Sequence, residues 1–162
     1  MGDPKKHRRK YETPLRPWDK KRILEEKELL ERYGLRRKRE IYRAESILRK
    51  IRRQARNLAA SKNEEEKKKL LEKLERMGLV EKNSALDDIL SLNVENILER
   101  RLQTIVFRKG LARTPKQARQ FIVHNHVRVG DRRIKWPSFL VPKDLEDKIE
   151  VEIKIGEEND KR

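Results

Sequence analysis

Cysteine is absent from the 162 residues, which excludes disulfides and thiolate-held zinc. The three histidines, His7, His124 and His126, have no further donors at a metal-ligand spacing, so neither a metal site nor a cofactor is expected. No apolar run approaches the roughly 18 residues that a membrane-spanning helix requires, and the basic N-terminal stretch lacks the apolar segment of a secretory signal. Lys6 stands where a myristoylation signal carries Ser or Thr, so no lipid anchor is expected either. Membrane attachment and export therefore fall away, and a cytoplasmic location is the expectation. Hydrophobic residues make up only 35% of the chain and aromatic residues 5%, which rules out one large core and leaves room for one or two small ones.

Positive charge is plentiful. Lys and Arg number 44 against 28 Asp and Glu, a formal net charge of +16 with a pI near 10.2. Residues 1–60 hold 21 basic and 9 acidic groups, residues 61–99 hold 7 and 10, residues 100–143 hold 12 and 1, and residues 144–162 hold 4 and 8. Two basic blocks thus flank a near-neutral spacer, and the second contains a single acid, Asp131. Self-repulsion in such a block calls for a polyanionic partner.

The chain divides into an arm, two modules and a tail. Residues 1–18 form a basic arm with KKHRRK, Pro4, Pro14 and Pro17; up to about Leu15 it has too few apolar groups to offset its ordering entropy and is expected to be disordered alone. Residues 19–92 read as helical. Ala44, Leu48, Ile51, Ala55 and Leu58 recur at steps of four and three, which is one amphipathic helix, and Arg43, Arg49, Arg52, Arg53 and Arg56 on its other faces are placed to snorkel into water or lie along phosphates. Asn63 with Glu66 resembles a capping box for a third helix that Gly78 closes, and Ser84 and Asn93 are candidate caps for two more.

Residues 93–155 form the second module and 156–162 a charged tail. One helix is expected from Val94 to Lys109 with Leu98, Leu102, Ile105 and Val106 as its apolar stripe, ended by Gly110. Thr114 as N-cap and Pro115 at the first position begin another, running to about Asn125 with Ala118, Phe121 and Ile122 inward. Val127–Val129 and Ile134–Trp136 flank the turn signal Gly130-Asp131, and Ile149, Val151, Ile153 and Ile155 alternate as a half-buried strand. The fold class is α+β: a helical basic N-terminal region, then a small module of two helices packed on a short antiparallel sheet. Trp18 and Trp136 are expected to anchor their modules, with stacking on bases as the alternative.

Packing those two helices and the hairpin together crowds Arg101, Arg108, Arg113, Lys116, Arg119, His124, Arg128, Arg132, Arg133 and Lys135 around the helix start at Thr114, whose amides favour phosphate. A nucleic-acid backbone answers that arrangement. RNA is favoured over DNA because no helix carries the base-reading face of a helix-turn-helix protein.

The segment LERRLQTIVFRKGLARTPKQARQFIVHNHVRVGDRRIKWPSFLV, residues 98–141, resembles the small RNA-binding domain named for small-subunit ribosomal protein four, which also occurs on some tRNA synthetases and pseudouridine synthases. The RRL start, the T-x-x-Q-A-R-Q helix and the H-V-x-V hairpin match, whereas the turn is Gly130-Asp131 in place of the commoner Asn-Gly. The arm, the basic middle helix and SALDDILSLNVENILERRL extend the likeness to the archaeal and eukaryotic branch of that ribosomal protein family, over nearly the whole chain. The resemblance implies a protein of the small subunit that binds its rRNA early in assembly, at a helix junction of the 5′ domain, beside other small-subunit proteins near the channel where mRNA enters, and not as a homo-oligomer. It implies Arg101, Arg108, Arg113, Thr114, Lys116, Arg119, Gln120, His124, His126, Arg128 and Lys135 as contacts, Arg and Lys on phosphates and the others on sugar or backbone. Each also has a plainer reading as a surface ion pair or cap.

Because the domain occurs on RNA-modifying enzymes, catalysis is the rival reading. The sequence offers no phosphate loop, nucleophile elbow or poised acid to support it, and no enzyme is expected. A pre-rRNA processing factor of the small-nucleolar-particle type is the closer alternative. A stress factor built on the lone module would have no use for the first ninety or so residues.

Overall fold

The computed structural model describes residues 9–61, 63–82 and 84–152. The first eight residues of the basic arm, Ile153 and Ile155 of the expected third strand, and the tail lie outside them.

Helix α1 (Lys20–Arg32) starts where the Asp19 carboxylate accepts the Lys21 amide at 3.1 Å. Gly34 reverses the chain at φ +58, and the Leu35 amide closes the end on the Leu30 carbonyl at 2.9 Å. Helix α2 (Lys38–Ala60) buries Ile41, Ala44, Leu48, Ile51 and Ala55, the stripe its spacing predicts extended by one turn at its start. Helix α3 (Glu64–Arg76) turns Leu70 and Leu74 inward and ends at Gly78, but Asn63 makes no side-chain capping bond. Two short helices, α4 (Leu86–Ser91) and α5 (Val94–Glu99), complete this half; Asn93 is the N-cap residue of α5 as expected, whereas Ala85 rather than Ser84 holds that place for α4, and the Asp88 and Asn96 side chains each accept the N-cap amide at 2.8 Å. Ile89, Ile97 and Leu98 join the α2 stripe in the first core.

A break replaces the single helix expected over 94–109. After α5 the chain extends at Arg101 and restarts as α6 (Leu102–Arg108). The cause is tertiary: Arg101 pairs with Leu140 as an antiparallel bridge, the Leu102 amide donates to the Phe139 carbonyl at 2.7 Å, and the Val141 amide donates to the Arg100 carbonyl at 3.0 Å. The first core ends with Leu98 and the second begins with Leu102.

That second core is built from α6, α7 (Pro115–Val123), β1 (Val127–Val129), β2 (Arg132–Arg133), α8 (Lys143–Glu146) and β3 (Ile149–Val151). The sheet is antiparallel in the order β2-β1-β3, with Arg128 opposite Arg133 on one side and Glu150 on the other. Val127 and Val129 point inward with Ile149, onto Ala118 and Ile122 of α7. Asn125 takes the left-handed turn after α7 at φ 67, and Phe121 is half-buried rather than fully enclosed. Strand β2 stops at Arg133 because the chain then turns, Phe139 donating to the Trp136 carbonyl at 3.1 Å, to reach its pairing with Leu102. Trp136 is consequently 69% exposed, and Trp18 is 88% exposed, so neither anchors its module. Among the described residues no helix is long and apolar enough to cross a membrane.

Candidate nucleic-acid interface

The two modules meet at a polar joint. Gln103 of α6, 1% exposed, directs its amide nitrogen at the carbonyls of Tyr33 at 3.2 Å, Gly34 at 2.9 Å and Pro115 at 2.9 Å. Gly34 packs so closely that a Cβ there would stand 2.7 Å from the Pro115 Cβ. Beside Gln103, Oε2 of Glu40 accepts from Arg101 Nη2 at 2.6 Å and from Arg119 Nη1 at 3.2 Å. Burial by itself would raise the Glu40 carboxyl, but the hydrogen bond from Arg119 and the charge of Arg101 outweigh it and hold the group below its ordinary range. For Arg101 burial wins, pushing the guanidinium below its usual value against the pull of Glu40.

This joint corrects two of the expected contacts. Arg101, 5% exposed, is a structural cation rather than a surface one, and Arg119 faces Glu40 and Gln103 instead of standing free on the outer face of α7. Helical spacing sets Arg119 apart from the buried stripe of Ala118, Phe121 and Ile122, but it cannot show that Glu40 of α2 reaches it. Arg52 is likewise half-buried, its guanidinium on the Leu92 carbonyl.

The other expected residues distribute over two faces. On the second module Arg113, Thr114, Lys116, Gln120, His124 and Lys135 are exposed, and His126 and Arg128 are half-exposed. The His124 and His126 rings lie 6.3 Å apart. Arg128 shares Glu152 with Arg133, and exposed Arg108 pairs with Glu99. Thr114 does cap α7, its hydroxyl accepting the Gln117 amide at 3.1 Å. Since Ala118 donates to the Thr114 carbonyl and Pro115 has no N–H, the helix start offers one amide, that of Lys116, to an anion. On α2, Arg43, Arg49, Arg53 and Arg56 are exposed, Arg49 pairing with Glu12. The arm, expected to trail free, is tethered here in its described part: the Glu12 amide donates to Ser46 Oγ at 3.3 Å, and Tyr11 packs on Tyr42 with ring centroids 6.4 Å apart.

Arg36, Arg37 and Arg39 were missed by the sequence reading. With Arg43, Arg9 and Lys10 they surround a groove of about 590 Å³ between α2, the arm and the segment Pro137–Ser138. The RRKR run at residues 36–39 was the available signal.

Residues 100–147 match the S4 domain. The small ribosomal subunit protein uS4 of Sulfurisphaera tokodaii is 53% identical over 154 residues, covering 93% of this chain and 87% of the relative. Its counterparts in Picrophilus torridus and Hyperthermus butylicus are 51% and 50% identical over 92% and 93% of the chain, and over 85% and 87% of their own lengths. The chain belongs to the uS4 family. Membership covers the helical half as well as the S4 domain, so the joint at Glu40, Arg101 and Gln103 lies wholly inside the stretch that the family shares.

Proposed function

We propose that this uS4 protein is a structural constituent of the small ribosomal subunit that binds small-subunit rRNA directly, nucleates assembly of its 5′ domain and contributes to decoding accuracy beside the channel where mRNA enters. The observation that carries the rRNA contact is the exposed set Arg113, Lys116, Gln120 and His124 on α7 and its flanks, none of which forms an ion pair with a carboxylate among the described residues, unlike Arg119 of the same helix. Phosphate oxygens supply the missing negative charge, and Gln120 and His124 add hydrogen bonds to sugar or backbone. The place near the mRNA channel rests on the family alone.

The test is equilibrium binding of the full chain to a transcript of the 5′ domain of archaeal small-subunit rRNA at rising salt. Neutralising about six phosphates predicts a loss of roughly a thousandfold in affinity between about 50 and 200 mM salt. A flat titration contradicts the reading. Sedimentation with precursor particles, and not with mature subunits, would point instead to a processing factor.

A further inference from the structure

We infer that Glu40 and Gln103 are positioning residues for RNA recognition: they hold the cations of α2 and those of α7 in one register, so that a single RNA engages both modules at once. The inference rests on the proposed rRNA binding and adds which side chains other than the cations themselves govern it.

Apolar packing leaves that register loosely set. The first core closes at Leu98 and the second opens at Leu102; of the described residues beyond Leu102, only the partly buried Leu140 packs against the first core. The Arg101–Leu140 bridge, the Arg100–Glu146 and Arg108–Glu99 ion pairs and the contact of α8 with α3 add ties, but none of these involves α2 or α7. The two helices that carry the exposed cations need a connection of their own.

Glu40 and Gln103 supply it. Glu40 of α2 accepts from Arg119 of α7 at 3.2 Å, and Gln103 joins the Gly34 carbonyl, just before α2, to the Pro115 carbonyl in the first turn of α7, each at 2.9 Å. The Gln103 Oε1 atom takes Arg119 as well, at 3.4 Å, so both ends of this buried amide are spent between the modules. Glu40 stands one helical turn before exposed Arg43, and Arg119 one turn after exposed Lys116. Fixing Glu40 on Arg119 therefore fixes the spacing of those two cations. An RNA that has engaged one face then meets the other at high effective concentration, an advantage lost once the spacing wanders. Glu40 is the telling member. By charge alone, a carboxylate beside cations, holding Arg119 to itself, opposes RNA binding; as a positioning residue it promotes binding.

The experiment measures binding of full-length Glu40→Gln, Gln103→Met and the parent to the 5′-domain transcript at rising salt. Glu40→Gln removes a negative charge and Gln103→Met removes none, so charge alone predicts tighter binding by the first and no change by the second. Positioning predicts that both bind about tenfold more weakly at about 100 mM salt and that the salt slope falls by about 2, although no cation is lost. That slope separates positioning from partial unfolding, because a smaller folded fraction lowers affinity by one factor at every salt. Arg53→Ala/Arg56→Ala, which removes two exposed cations of α2, should flatten the slope by about 2 in the parent and by under about 1 in the Glu40→Gln background. Equal flattening in both backgrounds, unchanged or tighter binding by Glu40→Gln, or weaker binding at the parent's slope overturns the positioning role and leaves the rRNA reading intact. A parent that does not bind the transcript overturns that reading itself. Should Glu40→Gln melt below the assay temperature, Gln103→Met decides alone, and an unchanged slope there overturns the proposal.

Discussion

Glu40 and Arg101 stand 61 residues apart in the chain and 2.6 Å apart in space, with Arg101 buried and without another carboxylate partner among the described residues. The pair ties α2 to the break between α5 and α6, so it couples the first core to the second. Removing one member of a buried pair leaves the other charge uncompensated, which costs about 3 to 5 kcal/mol. Glu40→Ala is expected near the lower figure, because Arg119 can still turn to water. Replacing both groups, as Glu40→Ala/Arg101→Met, should recover much of the loss, since no charge is then stranded. Urea unfolding of Glu40→Ala, Arg101→Met and the double variant measures this, and an additive double variant would deny the coupling.

Acid should loosen the helical half and the joint together. Burial opposes ionisation of Glu26 as of Glu40, but hydrogen bonds from Arg22 and Lys38 prevail at Glu26, and both carboxyls lie below their ordinary range in the folded chain. A depressed carboxyl adds stability that is complete above its unfolded value, about 4.3, and disappears as pH falls through the lower folded value. Glu45, which burial raises, acts in the opposite sense and partly offsets them. Melting temperature is therefore expected to drop steeply below about pH 4, and Glu26→Gln/Glu40→Gln should flatten that limb relative to its own neutral-pH value.

Local signals were readable in the sequence and tertiary ones were not. The α2 stripe from Ala44 to Ala55 followed from spacing, and Thr114-Pro115 announced the start of α7, because both depend on residues within a turn or two. The break at Arg101 had no such mark. Leu98, Leu102 and Ile105 keep helical spacing across it, and only pairing with Phe139 and Leu140, nearly forty residues on, opens the helix. The same distance effect governed the site: cations were countable, but which of them face a carboxylate was decided by Glu40. The exposure of Trp136 follows from the turn to Phe139, another contact the local pattern does not carry.

Gly34 should tolerate no side chain. At φ +58 an L-residue is strained, and its Cβ would stand 2.7 Å from the Pro115 Cβ and 3.2 Å from Gln103 Nε2. Gly34→Ala combines that strain, of order 1–3 kcal/mol, with displacement of α7 from α1. Thermal melts should show a loss at least that large, whereas Gly130→Ala, with an equally positive φ and no heavy atom within 4 Å of its Cβ, isolates the conformational part. Equal losses for the two would mean that the close approach to Pro115 costs nothing.

Arg119 and Arg113 provide the sharpest contrast between a joint cation and a surface one. Arg119→Glu sets a second carboxylate against Glu40 where a 3.2 Å ion pair stood, and removes the donor to Gln103 Oε1. It should lower folding stability by well over the roughly 0.5 kcal/mol of ordinary surface changes, and any loss of rRNA binding should partly reflect the loosened joint. Arg113 is exposed, and its backbone amide rather than its side chain is engaged, donating to Gln117 Oε1 at 2.8 Å. Arg113→Glu should therefore stay within about 0.5 kcal/mol of the parent in stability, yet bind rRNA far more weakly, because it places repulsion directly on the phosphate-facing surface. Thermal melts and rRNA affinity measured on the same preparations separate the two roles: an Arg119→Glu variant that melts like the parent refutes the joint, and an Arg113→Glu variant that binds like the parent refutes the outer face of α7 as the RNA surface.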